Sequence, residues 1–412
     1  MPAQNLGSWE KQMFVDVPHY NRYLLYFLVV TIVLPSLYFS FYGTYLSKPA
    51  VTLTIVTVGF LSFIIGYSFS RRLRSRSFDP SGVLPGRLSV TWQVAVTSFI
   101  VIVIFSIFAP FRFKYNIGVP DFPPSLPFAG IIFYLTTYGV QALIIAAFIL
   151  SEKKHRNFFV LLCGIFFYAI YEASLGWRVG MLEGIIILII CSAYINLGKS
   201  VGSRVSNVNS IINKLARLLV VILMIFGITF IVIQLQADVR DPDGSGFTVA
   251  KIFLRFWGAN YLDQTVTYFI DRDYGMLTNG SHFFDLVNSG MSSAEFNNTV
   301  IHGNRLGQHH GNSKTGFGSM YIYSGFIGVI IIFLFTGRYF RFVYDLSSHK
   351  PSLFVTTAAI LHFALLFRII NEQYDLGTLK TVSAIWICAL IGSSLISFFG
   401  RLTYPRFQVK VE

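Results

Sequence analysis

The stretch GNRLGQHHGNSKTGFGSMYIYSGFIGVIIIFLF, Gly303 to Phe335, passes from a polar, glycine-punctuated run into unbroken hydrocarbon within a few positions. It closes the one long polar segment of the chain, Asp238 to Phe317, and opens the apolar span behind it. That segment carries six of the 32 basic residues, eight of the 19 acids and four of the eight histidines. A connection of about eighty residues between apolar spans is either functional or disordered. Phe253, Phe256, Trp257, Phe283 and Phe284 are residue types that a disordered tract lacks. The segment therefore reads as a structured cap, and the rest of the chain as the membrane scaffold that positions it.

Composition fixes the fold class. The 412 residues are 54% hydrophobic, 17% aromatic and 12% charged, where soluble domains carry about 25% charged residues. Repeated apolar runs near twenty residues long are the signature of membrane-crossing helices. These runs are apolar all round, so the alternating pattern of a membrane barrel does not fit. The expected fold is all-α: a single polytopic membrane domain over residues 1–412, with 238–317 as a large extracytoplasmic loop between spans seven and eight. The net charge of +13 sits in short clusters between spans. That placement is topology information rather than a nucleic-acid surface, so no nucleic-acid partner is expected. Cys163, Cys191 and Cys388 all fall inside apolar runs and offer neither a disulfide framework nor a zinc pattern.

Ten spans are expected, near 23–42, 49–69, 90–110, 129–150, 158–175, 180–197, 218–236, 318–336, 351–370 and 381–399. Connections after the even-numbered spans, together with the two termini, hold 20 basic residues against 12 elsewhere. That asymmetry puts both termini in the cytoplasm and the long loop outside. Within the loop, Val249, Ile252, Phe253, Phe256 and Trp257 share one helical face, which suits a helix lying in the outer interface. Asp241-Pro-Asp-Gly-Ser-Gly246 opens like a calcium loop, but Ile252 stands where the closing glutamate belongs, and a turn is the better reading.

Charges at membrane depth cost roughly 2.5–3.5 kcal/mol each on insertion scales, so they are functional candidates. Arg178 lies in a short outer turn between Glu172 and Glu183; it either joins those acids in a structural clasp or binds an anionic headgroup. Arg255 sits on the interfacial helix, as a snorkelling surface arginine or as a ligand. Arg305, His309 and His310 fall together before the eighth span. The histidines titrate near neutrality and suit a general base, while arginine supplies a planar anion clamp. Arg368 and Glu372, at i and i+4, stand at the outer end of the ninth span, as a helix ion pair or as part of the substrate-binding set. His362, six residues deeper, reads as a hydrogen-bonded bundle residue. The four arginines and the histidine pair suit a substrate with a membrane-embedded tail and a diphosphate head. No P-loop or nucleotide fingerprint is present in the sequence.

Three features resemble the Wzy-type O-antigen polymerases, also called oligosaccharide repeat unit polymerases, which are related to the O-antigen ligases. They are ten spans with one large outer loop late in the chain, the Gly176-Trp-Arg178 turn, and the run Gly316-Phe-Gly-Ser-Met-Tyr-Ile-Tyr-Ser-Gly325-Phe-Ile-Gly328. The resemblance covers about residues 20–400 in layout. It implies a glycosyltransferase of the bacterial inner membrane that needs neither metal nor nucleotide cofactor. Its substrates would be undecaprenyl-diphosphate-linked oligosaccharides, its surroundings membrane lipids, and a polysaccharide chain-length regulator a further partner. Arg178, Arg255 and Arg305 would hold diphosphates, and His309 or His310 would activate the acceptor hydroxyl. The doubled histidine departs from the family pattern and leaves the base unassigned. The alternative from another class is a transporter or flippase for an anionic lipid-linked or soluble substrate. Such a protein should show broken helices at midplane or internal inverted repeats, and the sequence shows neither.

Overall fold

The computed structural model describes residues 49–69, 134–150, 315–349, 352–371 and 376–403, together with residues 164, 168, 183, 184 and 187. Every described segment is helical. In hydrocarbon each backbone N–H and C=O must find its partner inside the segment, and among open structures the helix alone provides that. We number the helices α1 (Pro49–Ser68), α2 (Val140–Leu150, entered through a π-helical turn at Leu135–Gly139), α3 (Thr315–His349), α4 (Leu353–Asn371) and α5 (Leu376–Thr403). Four stretches are long and apolar enough to cross a membrane: Ala50–Ser68, Tyr323–Ser347, Leu353–Ile370 and Thr378–Phe398. The protein is an all-α membrane protein in this sense. Apart from those single residues and 315–317, the remaining expected spans and the long loop lie outside the described residues, as do the sites at Arg178, Arg255, Arg305, His309, His310 and Glu372.

Local chemistry sets the helix starts. Pro49 opens α1, a position where its missing N–H leaves no hydrogen bond unmade. Ser352 caps α4: its hydroxyl accepts from the Val355 N–H at 3.1 Å, and its carbonyl accepts from the Thr356 N–H at 2.9 Å. α4 is the centre of the described bundle. Its span is buried along nearly its whole length, whereas the other three bury less than half. Leu61 and Ile65 on α1, Ile327, Ile331 and Phe335 on α3, and Ile387, Leu390 and Phe398 on α5 are exposed. Their exposed apolar faces are what a bilayer would cover.

Lipid tails are as apolar as leucine, so close van der Waals contact rather than hydrophobic exclusion holds such helices together. The α1–α3 pair shows how. A Cβ at Gly66 would collide with the Leu334 carbonyl oxygen, and one at Gly337 with the Phe63 carbonyl oxygen. Only glycine lets these two backbones touch. Ring contacts extend the seam, Phe63 to Phe340 at 6.1 Å and Tyr67 to Tyr344 at 6.4 Å between centroids. Numbers rise together along both helices, so α1 and the later part of α3 run parallel. α2 and α5 are likewise parallel: Cys388 Sγ lies 3.6 Å from the Tyr134 carbonyl oxygen, and Gly392 packs on Ala142. α4 runs against them, carrying its C-terminal Arg368 to the N-terminal end of α2. These directions agree with spans two, four, eight and ten crossing one way and span nine the other.

One expectation is corrected. The sequence shows no broken helix, yet α3 breaks at Gly325, where φ is 64° and ψ −165°. This is backbone that glycine alone adopts readily. Phe317 and Phe333 stack with centroids 4.4 Å apart, although sixteen positions of continuous helix would separate them by about 24 Å. Residues 315–324 therefore fold back along the start of 326–349 as a helical hairpin with Gly325 at its tip. Tyr321 meets Phe326 edge-on beside that tip, at 5.1 Å. The stretch long and apolar enough to cross a membrane is Tyr323–Ser347, which starts at the hairpin tip and is later and longer than the expected 318–336. Composition is blind to the break because both arms are apolar.

Candidate functional site

The described polar groups separate into three places along the bundle. At one end, Arg341 Nε pairs with Asp345 Oδ1 at 2.9 Å, and its guanidinium lies 5.4 Å from the ring centroids of both Tyr67 and Tyr344. This is an ion pair one helical turn long on α3, packed between aromatic faces, and it reads as structural.

Half-way along α4, His362 is fully buried. Its Nδ1 lies 2.7 Å from the Ala358 carbonyl oxygen and its Nε2 2.7 Å from the Tyr339 hydroxyl. A carbonyl only accepts, so Nδ1 carries the proton, and in the neutral ring Nε2 accepts from Tyr339. The Tyr339 oxygen in turn accepts from the Trp386 indole N–H at 2.8 Å. One histidine thus ties α3, α4 and α5 together with both ring nitrogens occupied. This is the bundle role that its sequence position suggests.

The third place is at the opposite end from Asp345 and is the candidate site. Arg368, in the last turn of α4, donates from one terminal guanidinium nitrogen to the Tyr138 hydroxyl at 2.8 Å. Tyr138 is fully buried and belongs to the π-helical turn that leads into α2. Such turns widen the helix and re-aim the side chains on it, and they recur at functional sites. One turn further on, Gln141 Nε2 donates to the Tyr168 hydroxyl at 2.5 Å and to Glu183 Oε2 at 3.3 Å. Gln141, Tyr168 and Glu183 are each at most 1% exposed. Gly316, at the start of α3, packs so tightly on the Ile369 carbonyl that a Cβ there would overlap it. The last residues of the long polar segment are therefore delivered beside Arg368.

The chain matches no family model, no curated protein and no solved structure.

Of the site residues expected from sequence, Arg368 lies in this cluster. Glu183, expected as one of two acids flanking Arg178, is there as well, held by Gln141. Sequence reasoning missed Thr137, Tyr138, Gln141 and Tyr168. The signal was present, since Gln141 is an amide within a run of hydrocarbon, and polar groups at that depth are costly. Among the described residues no group of three histidine, cysteine or acidic side chains is arranged to hold a metal ion.

The arrangement places a cationic donor on the Tyr138 hydroxyl, with the hydrogen-bonded amide and acid of Gln141 and Glu183 reached one helical turn further along from Tyr138. Arginine offers a planar fork of N–H donors that fits a phosphoryl group, and a fixed tyrosine oxygen orients it. The acid and amide are hydrogen-bonding groups of the kind that recognise hydroxyls.

Proposed function

We propose that the protein is an oligosaccharide repeat unit polymerase. It would join undecaprenyl-diphosphate-linked oligosaccharides into a surface polysaccharide on the outer face of a bacterial inner membrane. The observation that carries the reading is Arg368, held by Tyr138 at the helix end that receives the long polar segment, with Gln141 and its partner Glu183 reached one turn further on from Tyr138. A lipid-linked glycan brings to such a place an embedded tail, an anionic diphosphate and a hydroxyl-rich head. In this reading Arg178, Arg255 and Arg305 join Arg368 around the diphosphates, and Glu372 belongs to the same substrate-binding set. His309 or His310 takes the proton of the acceptor hydroxyl as it attacks the anomeric carbon of the donor glycan. The bond from that carbon to the diphosphate breaks, and the arginines stabilise the departing diphosphate. The experiment is the surface glycan of a strain lacking the gene. A polymer ladder collapsing to a single repeat unit is the expected result, and an unchanged ladder would overturn the reading.

A specific feature favours a second reading. Discontinuous helices that fold back into the bundle occur in transporters, where they move or line a path, and α3 has such a break at Gly325. A flippase for the same lipid-linked repeat unit would leave the deletion strain without surface glycan and with repeat units trapped on the inner leaflet.

A further inference from the structure

Hydroxyls within the described helices mostly satisfy themselves on the preceding turn. Thr54, Ser62, Ser324 and Thr336 each donate to the carbonyl four residues back, at 2.7–2.8 Å. Thr137 does not. Its Oγ1 is buried and makes no hydrogen bond among the described residues, and the same holds for Gln141 Oε1, one turn further along. Both residues are 0% exposed. An unmade hydrogen bond on a buried polar atom costs about 1–3 kcal/mol, and two such atoms one turn apart mark a place built for a partner. Thr357 and Ser393 also hold buried hydroxyls that make no hydrogen bond among the described residues. The Gln141 amide nitrogen is committed to Glu183 and Tyr168, which leaves the amide oxygen as a fixed acceptor.

We infer that Thr137, Gln141 and Glu183 form a subsite for the hydroxyl groups of a saccharide. Gln141 Oε1 accepts from one sugar hydroxyl, and Thr137 Oγ1 exchanges a hydrogen bond with a second. Glu183, through its grip on the Gln141 amide, fixes which end of that amide faces the ligand. Tyr138, next in sequence to Thr137, carries the hydrogen bond to Arg368. A sugar in the subsite would thus lie beside the arginine that receives its diphosphate. The inference rests on the proposed polymerase reading and names the place where the glycan portion of the substrate is held.

The test is equilibrium binding to the purified full-length protein in lipid nanodiscs. One probe is undecaprenyl diphosphate; the other is lipid-linked oligosaccharide extracted from the strain that carries the gene. Wild-type protein should bind the glycan-bearing lipid more tightly than the bare carrier. Thr137→Val, which keeps the side-chain shape, and Gln141→Met should each reduce that preference by about fivefold to tenfold per hydrogen bond lost. Binding of the bare carrier should stay unchanged in both. If Thr137→Val and Gln141→Met retain the full preference, the orphan atoms hold only water and the subsite is wrong. Wild-type binding of the carrier with no preference for the glycan would also overturn it while leaving the arginine site standing. Binding of neither lipid would remove the polymerase reading as well.

Discussion

Arg368 and Tyr138 lie 230 residues apart in the chain and 2.8 Å apart in the fold. The contact joins the innermost helix of the described bundle to the π-helical turn ahead of α2. It anchors one terminal nitrogen of the guanidinium on a phenolic oxygen that is itself buried.

Tyr138→Phe removes that oxygen and leaves the ring. A hydrogen bond to a charged group contributes about 1.5–3 kcal/mol, so polymer formed per unit of inserted protein should fall at least tenfold. Insertion should stay near normal. Unchanged turnover in the phenylalanine variant would show that Arg368 needs no positioning by Tyr138.

Gly325→Ala tests the hairpin. An L side chain at φ 64° and ψ −165° carries a penalty of about 1–3 kcal/mol. The variant should unfold at lower temperature in detergent than wild type. Straightening of α3 would pull Phe317 from Phe333, so a cysteine pair at those two positions should cross-link in wild type and not in the alanine variant. Cross-linking to the same extent in both would mean that the fold-back does not depend on Gly325.

Tyr339→Phe separates a structural histidine from a reactive one. It leaves the buried His362 Nε2 and the half-buried Trp386 indole N–H facing a ring edge, the histidine alone costing about 1–3 kcal/mol. Thermal stability should drop clearly, while polymer per folded molecule stays near wild type. A large loss of turnover without loss of stability would put His362 in the chemistry instead.

Topology gives the fourth prediction. A reporter that works only outside the cytoplasm should be active when fused at Asn288 and silent at Ser206. The parallel run of α1 with α3 requires an odd number of crossings between them, and the five expected spans satisfy it. Activity at Ser206 would invert the orientation and place the Arg368 cluster on the cytoplasmic side.

The class of this protein was legible before any coordinate. Runs of twenty apolar residues can satisfy their backbones in a bilayer only as helices or closed barrels, and the lack of alternation leaves helices. Arg368 was legible too, as a charge at the end of an apolar run, and so was the bundle role of His362. Three things were not. The fold-back at Gly325 depends on one backbone torsion, and hydropathy averages over it. The pairing of Arg368 with Tyr138 depends on which helix faces which, and uniformly apolar spans do not encode neighbours by periodicity. The Gln141–Glu183–Tyr168 cluster needs two positions, 27 and 42 residues from Gln141, to converge on it. Sequence supplied the polar residues and their depth, while tertiary packing alone chose their partners, because a side chain in lipid can lower its cost only against whatever the next helix presents.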